Sequence, residues 1–255
     1  MGRVKTRLQE YHANLVQAFR VLEQKARAAD GCDAVADAAQ QARIKLTEQT
    51  TPGTRWALAV NPNLRVPLSD GVLVNAPGRG YLLIGGDVAC ERDGTVEQSI
   101  AVAMVVHEAP ETGLRGICCY EGFRSRHVVL RRIHWDITGS ERAAGAPVVH
   151  LQVGGKPKSF PPIPDAQSHY CAGHWIEEPR MPSLPLDFVL VVDLLLRQVD
   201  SPLRELVQEP EWNAVRQKSS ELWVVPYCIA MGKLQPTRLK EKWYESIAEV
   251  RSDLS

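Results

Sequence analysis

The sequence predicts a mixed α+β fold, in which a central antiparallel β-meander lies between an amino-terminal helical hairpin and carboxyl-terminal helices. Three observations predict it. Apolar residues near the amino terminus recur at three- and four-residue steps, the period of an amphipathic helix. From Arg55 the period changes to two, and closely spaced turn residues interrupt it, which is typical of antiparallel strands. Beyond residue 186 the helical period returns.

Composition bounds the class of protein. The 255 residues include 30 basic and 30 acidic side chains, so the chain carries no formal net charge. A dedicated nucleic-acid binder normally has a basic excess for its phosphate contacts, and the balance argues against that class. Hydrophobic residues make up 44% and charged residues 24%, which is typical of globular proteins. We predict one domain over residues 1–255, because no flexible polar linker divides the chain.

The first 50 residues are expected to form a helical arm. Asp30-Gly31 ends its first helix, predicted from residue 4 to residue 28. Asp33 is expected to cap a second helix that reaches Leu46. The apolar stripe of the first helix consists of Val4, Leu8, Tyr11, Leu15, Phe19 and Leu22. Two interpretations of this stripe remain open, packing in the core of the protein and binding of a partner.

Residues 55–153 read as a series of short strands with turn residues between them. Asn61-Pro62-Asn63 is interpreted as one of these turns. Because the links are short, successive strands are expected to pair antiparallel. The predicted strands are Trp56 to Val60, Val72 to Asn75, Tyr81 to Cys90, Gln98 to Glu108, Arg115 to Arg124, His127 to Ile137 and Val148 to Val153.

The segment 154–185 contains seven prolines, a density that excludes regular helix or sheet through most of it. We predict an ordered loop, which at this length usually carries function or wraps the surface. Helices are expected to follow over Asp187 to Val199, from Ser201-Pro202, over Trp212 to Met231 with an interruption at Pro226, and after Thr237.

Five polar residues are predicted to share one face of the sheet. Arg132, His134 and Asp136 alternate with apolar residues along one strand, and His150 and Gln152 alternate with apolar residues along the next. Side chains at every second position of a strand point to the same side. If the two strands pair, a cation, two imidazoles, a carboxylate and an amide come together.

Three interpretations of this polar group remain open. His134 and His150 can act as an acid and base pair on a phosphodiester, with Arg132 neutralising phosphate charge and Asp136 fixing the imidazole tautomer. Two histidines and Asp136 can instead hold a divalent metal, and otherwise no cofactor is expected. The third interpretation is a hydrogen-bonded polar face without chemistry. The paired H-x-T/S motifs of two-histidine phosphoesterases are missing.

A cysteine in the proline-rich segment is a second candidate for chemistry. Cys171 lies between His169 and His174, where an imidazole could favour the thiolate form. Gly85-Gly86 and Gly154-Gly155 are followed by no predicted helix, so a phosphate-cradling loop is not expected.

The chain is expected to be cytoplasmic. Its six cysteines include no C-x-x-C pair, which is typical of reduced, intracellular proteins. The amino terminus has no apolar segment typical of a signal peptide. The longest apolar stretch, Phe188 to Leu196, is too short to span a bilayer.

Two segments resemble a family of bacterial proteins in which a strand reading HLQ-x-GG precedes a proline-rich loop and an apolar helix. The matching residues are His150 to Gly155 and Pro179 to Pro182, the latter leading into Leu184 to Phe188. The resemblance covers residues 128–230. It implies a prokaryotic accessory protein and implies no reaction.

A second resemblance is to the E2-like, ubiquitin-conjugating fold. Phe160 to Pro164 matches its proline-rich stretch, and Leu184 to Leu190 with Asp200 to Leu203 matches the helix and turn beyond the active site. The resemblance implies that Cys171 is the nucleophile of a transferase. The His-Pro-Asn motif of that family is absent from this chain.

Three functions follow as hypotheses, and whether the protein is an enzyme stays open. The first is a partner-binding accessory subunit of a prokaryotic system, in antiviral defence or related to a toxin. The others are a histidine- or metal-dependent phosphodiesterase or nuclease using His134 and His150, and a cysteine transferase using Cys171. We expect a protein partner and no membrane, and leave nucleic acid and homo-oligomerisation open. The apolar amino-terminal stripe supports the first hypothesis, as do Trp212, Trp223 and Trp243.

Overall fold

The computed structural model describes residues 7–49, 55–69, 79–90, 96–107, 127–137, 149–153, 169–170 and 181–234. It confirms the α+β class, with an amino-terminal helical hairpin, a central sheet and carboxyl-terminal helices. The predicted strands Val72 to Asn75 and Arg115 to Arg124, and the helix after Thr237, lie outside the described residues.

The helices of the described part of the chain are α1 (Arg7–Ala28), α2 (Asp33–Glu48), α3 (Phe188–Gln198), α4 (Pro210–Leu222) and α5 (Val224–Leu234). A 3₁₀ helix, Arg204–Gln208, lies between α3 and α4. Among these helices, none combines the length and the hydropathy needed to cross a bilayer.

The strands described are β1 (Trp56–Pro67), β2 (Arg79–Cys90), β3 (Val96–His107), β4 (His127–Ile137), β5 (Val149–Val153), β6 (His169–Tyr170) and β7 (Met181–Pro182). They form one sheet in the order β1-β2-β3-β4-β5-β7. Each of β1 to β4 pairs antiparallel with the next strand, which confirms the meander.

The proline-rich segment adds two short strands to this sheet. β7 pairs antiparallel with β5, and β6 pairs parallel with β4, whereas an ordered loop was predicted for this segment. Each strand is two residues long; β6 contains no proline, and β7 ends on Pro182.

The turn predicted at Asn61-Pro62-Asn63 is wrong, because β1 continues through it to Pro67. The register between β1 and β2 shifts between Val60 and Leu64, which marks a β-bulge. Proline cannot donate a ladder hydrogen bond, yet an edge strand tolerates it, and β1 lies at the edge of the sheet. The sequence Asn61-Pro62-Asn63 is therefore compatible with a turn and also with a bulge in an edge strand.

The sheet has two chemically different faces. The helix face packs with α1 to α4 in one apolar core, and we call the opposite side the far face. The far face carries a second, smaller buried cluster of Tyr81, Leu83, Ala101, Ala103 and Val105. The strand residues buried on the helix face are Trp56, Leu58, Val60, Leu64, Val66, Leu82, Ile84, Val88, Cys90, Ile100, Val102, Trp135 and Ile137.

The apolar stripe of α1 belongs to this core. Tyr11, Leu15, Phe19 and Leu22 are fully buried, and each contributes roughly 1.5–3 kcal/mol by leaving water. Trp212 and Trp223 are buried as well. These side chains fill the interior of the protein, so they no longer support a partner-binding surface.

The helix ends follow the predicted signals in part. Asp187, predicted as the first residue of a helix, caps α3 instead: its Oδ1 accepts a hydrogen bond of 2.9 Å from the backbone N–H of Leu190. The residue before α2 is Cys32 rather than Asp33, and its side chain makes no capping bond. Ser201 precedes a 3₁₀ helix rather than an α-helix.

The predicted interruption near Pro226 occurs at Trp223, between α4 and α5. Proline lacks the N–H that would bond to the carbonyl of Leu222, and its ring crowds that carbonyl. The helix therefore ends at Leu222, and Pro226 lies in the first turn of α5.

A buried polar network joins three of the helices. The Ser219 hydroxyl donates to Oδ2 of Asp187 over 2.7 Å. The Asn14 amide donates to Ser219 Oγ over 2.9 Å and to the carbonyl of Val215 over 3.0 Å. Asp187 is 0% exposed, and its burial raises the pKa of the carboxyl from 3.8 to about 6, although the hydrogen bond from Ser219 opposes the shift.

A second pair of hydrogen bonds ties α1 to the sheet. The Tyr11 hydroxyl donates to Oε1 of Gln98 over 3.2 Å, and the Gln98 amide donates to the carbonyl of Leu186 over 2.8 Å. Burial, and secondly the Asp187 carboxylate, raises the pKa of Tyr11 well above its ordinary value, so its phenol stays protonated as a donor. The polar groups fix α1 and the start of α3 against β3.

Replacing Ser219 tests the network. Ser219→Ala removes the donor to Asp187 and the acceptor of Asn14 together, which leaves buried polar atoms without partners. We expect the free energy of unfolding in urea to fall by about 1–3 kcal/mol. The matched control is Ser220→Ala in the same helix, where a change below about 0.5 kcal/mol is expected. Equal effects of the two substitutions would contradict the role of Ser219.

The buried carboxyl of Asp187 predicts a particular dependence of stability on pH. Its pKa is raised in the folded state, so the folded protein binds the proton more tightly than the unfolded chain. The free energy of unfolding should therefore fall as the pH rises from about 4 to about 6, by an amount on the order of 3 kcal/mol. Urea denaturation at successive pH values measures this slope.

Asp187→Asn should flatten that slope, since asparagine stays neutral and still caps a helix. Asp200→Asn is the control, because the Asp200 side chain is exposed. If the slope survives in Asp187→Asn, another group causes it.

Candidate functional site

The register of β4 and β5 brings the predicted polar residues to one face. Asp136 lies opposite His150, and His134 lies opposite Gln152. Directly opposed residues of antiparallel strands project to the same side, and Arg132 follows at the next alternate position of β4. Backbone pairing thus places Arg132, His134, Asp136 and Gln152 on the far face and puts His150 opposite Asp136. The side chain of His150 lies outside the described residues.

His134 and Asp136 are in direct contact. Nε2 of His134 lies 3.1 Å from Oδ2 of Asp136. A carboxylate that accepts from Nε2 favours the tautomer with its proton on that nitrogen, so the lone pair resides on Nδ1. Fixing the tautomer of the imidazole, the role predicted for Asp136, requires such a contact, and the role itself stays a prediction.

Burial changes along β4. Arg132 is 3% exposed, whereas the side chains of His134 and Asp136 are 12% and 18% exposed. Asp87, which lies in the same cross-strand row as Asp136, is exposed. Solvent therefore approaches the group from the Asp136 end, and the guanidinium of Arg132 lies at the inner end.

The neighbouring strand contributes small side chains beside this group. In the register of β3 with β4, Ser99 lies opposite Asp136, and Ala101 and Ala103 lie opposite His134 and Arg132. Ala101 and Ala103 are nevertheless buried, so other side chains cover them on the far face.

Sequence reasoning missed Asn63 and Gly85 as parts of this face. A Cβ placed on Gly85 would lie only 1.9 Å from Oδ1 of Asn63, so the carboxamide rests where a side chain of residue 85 would be. Gly85 in turn lies opposite Ala101, the residue opposite His134. The available signal was a pair of glycines inside a strand, which often marks close approach of another group.

A metal site is not formed by the described side chains. Among the residues that the structure describes, no three His, Cys, Asp or Glu side chains lie together in a way that could hold a metal ion. His134 and Asp136 supply two of the three predicted ligands, and the third, His150, has no described side chain. The metal interpretation stays a prediction.

The cysteine candidate, Cys171, lies outside the described residues, and so does His174. The side chain of His169 is not described either. Cys32 can be assessed, because it is buried and its pKa is raised to about 11, chiefly by desolvation and secondly by Asp33. A thiol with this pKa stays protonated at neutral pH, so Cys32 is not an activated nucleophile.

Comparison of the chain with family models, with curated proteins and with solved structures finds no match in any of the three. The resemblances to a bacterial family and to the E2-like fold therefore stay predictions.

Proposed function

We propose that the protein hydrolyses phosphodiesters at the far face, with His134 transferring the proton and Arg132 binding the phosphate. The observation that carries the proposal is the position of a buried guanidinium on the same face as a contacting imidazole and carboxylate pair. The combination supplies a base, a group that orients the base, and a cation for the charge that develops on phosphate.

Arg132 is suited to phosphate because its charge is almost fully removed from water. Burial of a charge is unfavourable, and it also strengthens the attraction of that charge for an anion. The planar guanidinium can donate two parallel hydrogen bonds to a phosphate, which an ammonium group cannot do. Arg132 would hold the phosphate at the inner end of the group.

His134 is suited to proton transfer because Asp136 holds its ring. The neutral ring of His134 can accept a proton from the attacking water. Asp136 then stabilises the imidazolium that forms, through the same 3.1 Å contact. His150, opposite Asp136 in the register, would return a proton to the leaving oxygen.

The partner-binding hypothesis has a separate observation in its favour. Val225 and Ile229 of α5 are 46% and 55% exposed, and residues four apart share one side of a helix. An accessory role in a prokaryotic system, in defence or related to a toxin, stays a prediction, as does transfer chemistry at Cys171. The described contacts bear on neither.

Replacing His134 tests the reaction. We expect His134→Ala to lower kcat for bis(p-nitrophenyl) phosphate by a factor of about 10²–10⁴, because the base is lost. His12→Ala is the matched control, since that ring contacts Leu46 and Trp56 on the helix face. The control should lose stability and keep its activity per folded molecule.

An undiminished rate in His134→Ala would refute the proposal. Treatment with EDTA separates the metal alternative, because activity that disappears and returns with a divalent cation would assign the site to metal chemistry. Metal-independent hydrolysis is the expected result.

Arg132→Lys tests the phosphate contact. Lysine keeps the positive charge and loses the forked geometry, so we expect KM for the same substrate to rise by about tenfold or more. Arg65→Lys is the control, because Arg65 lies on the far face and stacks on Tyr81. Circular dichroism establishes that each variant is folded, and an unchanged KM in folded Arg132→Lys would remove arginine from the phosphate site.

A further inference from the structure

β1 is an edge strand, and one side of its backbone has no neighbouring strand in the described sheet. It lies at one end of the strand order and pairs with β2. The outer side of an edge strand presents backbone N–H and C=O groups to which a strand of another molecule can bond. Proteins usually block such an edge with proline, charge, a bulge or a covering group. The two halves of β1 are blocked in different ways.

The second half of β1 is blocked by its own sequence. Its β-bulge interrupts the regular spacing of the backbone groups. Pro62 and Pro67 lack the N–H that a ladder of hydrogen bonds requires. Just beyond the strand, the N–H of Ser69 donates to the carbonyl of Asp200 over 2.9 Å. A second strand therefore meets no continuous row of donors and acceptors along this half.

The first half of β1 is covered by a side chain from the end of α2. Gln49 donates from Nε2 to the carbonyl of Ala57 over 2.6 Å, and its Oε1 accepts from the N–H of Ala57 over 2.9 Å. The carboxamide thus makes the two bonds that one residue of a neighbouring strand would make. Nε2 also donates to the carbonyl of Lys45 over 3.2 Å, which ties the carboxamide to the last turn of α2.

The sequence of this half does not block the edge by itself. Residues 56–60 contain neither proline nor a charged side chain. Ala57 and Ala59 are small and exposed. Alternate residues of a strand direct their backbone groups to the same edge, so Ala59 presents its N–H and C=O outward as Ala57 does. Without Gln49, this segment would be a template for pairing with another strand.

We propose that the carboxamide of Gln49 keeps β1 from pairing with β1 of a second copy of this chain. The partner is a second copy because one uncharged segment, residues 56–60, can supply both strands, running antiparallel about a two-fold axis. Each copy has to give up both bonds of Gln49 to Ala57 before the strands can pair, which disfavours the dimer. The inference does not depend on the proposed reaction.

Sedimentation equilibrium of the full chain over a range of concentrations measures this association. We expect the wild type to be monomeric and Gln49→Ala to dimerise, with a dissociation constant at least about tenfold lower. Gln49→Met keeps the length of the side chain and loses both bonds, so it should dimerise as well. Gln41→Ala is the matched control, because Gln41 is an exposed glutamine of α2, and it should stay monomeric.

A second substitution tests whether the association uses the edge of β1. Ala59→Pro removes an outward N–H from an edge strand, which tolerates proline there. Combined with Gln49→Ala, it should return the protein to a monomer. Association that persists in the double variant would overturn the proposal, because pairing at this edge could not cause it. Gln49→Ala and Gln49→Met that are folded by circular dichroism and remain monomeric would overturn it as well.

Amide hydrogen exchange tests the contact in the wild type without any substitution. The N–H of Ala57 is bonded to Gln49, so it should exchange at least about tenfold more slowly than the outward N–H of Ala59. Equal exchange rates of the two amides would show that the carboxamide does not cover the edge. A wild-type protein that is already dimeric would overturn the proposal too.

Discussion

The pairing register of β3, β4 and β5 is the constraint on which the candidate site depends. In this register Trp135 and Ile137 enter the core with the helices, and Arg132, His134 and Asp136 lie on the far face. A slip of one residue would exchange the two sets, which would bury a guanidinium among apolar side chains. The hydrophobic effect on one face therefore positions the polar groups on the other.

Polar contacts fix the helical layer in a different way. Apolar packing alone allows helices to slide, whereas the Asn14, Ser219 and Asp187 hydrogen bonds require one arrangement of α1, α3 and α4. The cost is a carboxyl group that is 0% exposed and resists ionisation. The helices are thus held in one arrangement on the helix face, and β4, which carries both Arg132 and His134, belongs to the sheet they cover.

Sequence periodicity predicted the strands of the site well and their contacts poorly. β4 was predicted with its bounds, and the shared face of His134 and Gln152 followed from alternation, because a period of two is a local property. The path of β1 through Pro62 depends on its place at the sheet edge, which is a property of the whole topology. The contact of Asn63 with Gly85 joins two strands across a bulge, so no local pattern contains it.

Stability alone does not account for the polar side chains of the far face. A protein that needed only stability at these positions would gain more from apolar residues, since buried ion pairs seldom exceed well-packed hydrocarbon in stability. β4 instead carries a buried Arg132 and the contacting pair of His134 and Asp136. Ala101 and Ala103 of β3 are 5% and 1% exposed, so the apolar part of this face is covered. Asp136 is 18% exposed, and a substrate would therefore reach His134 from the Asp136 end.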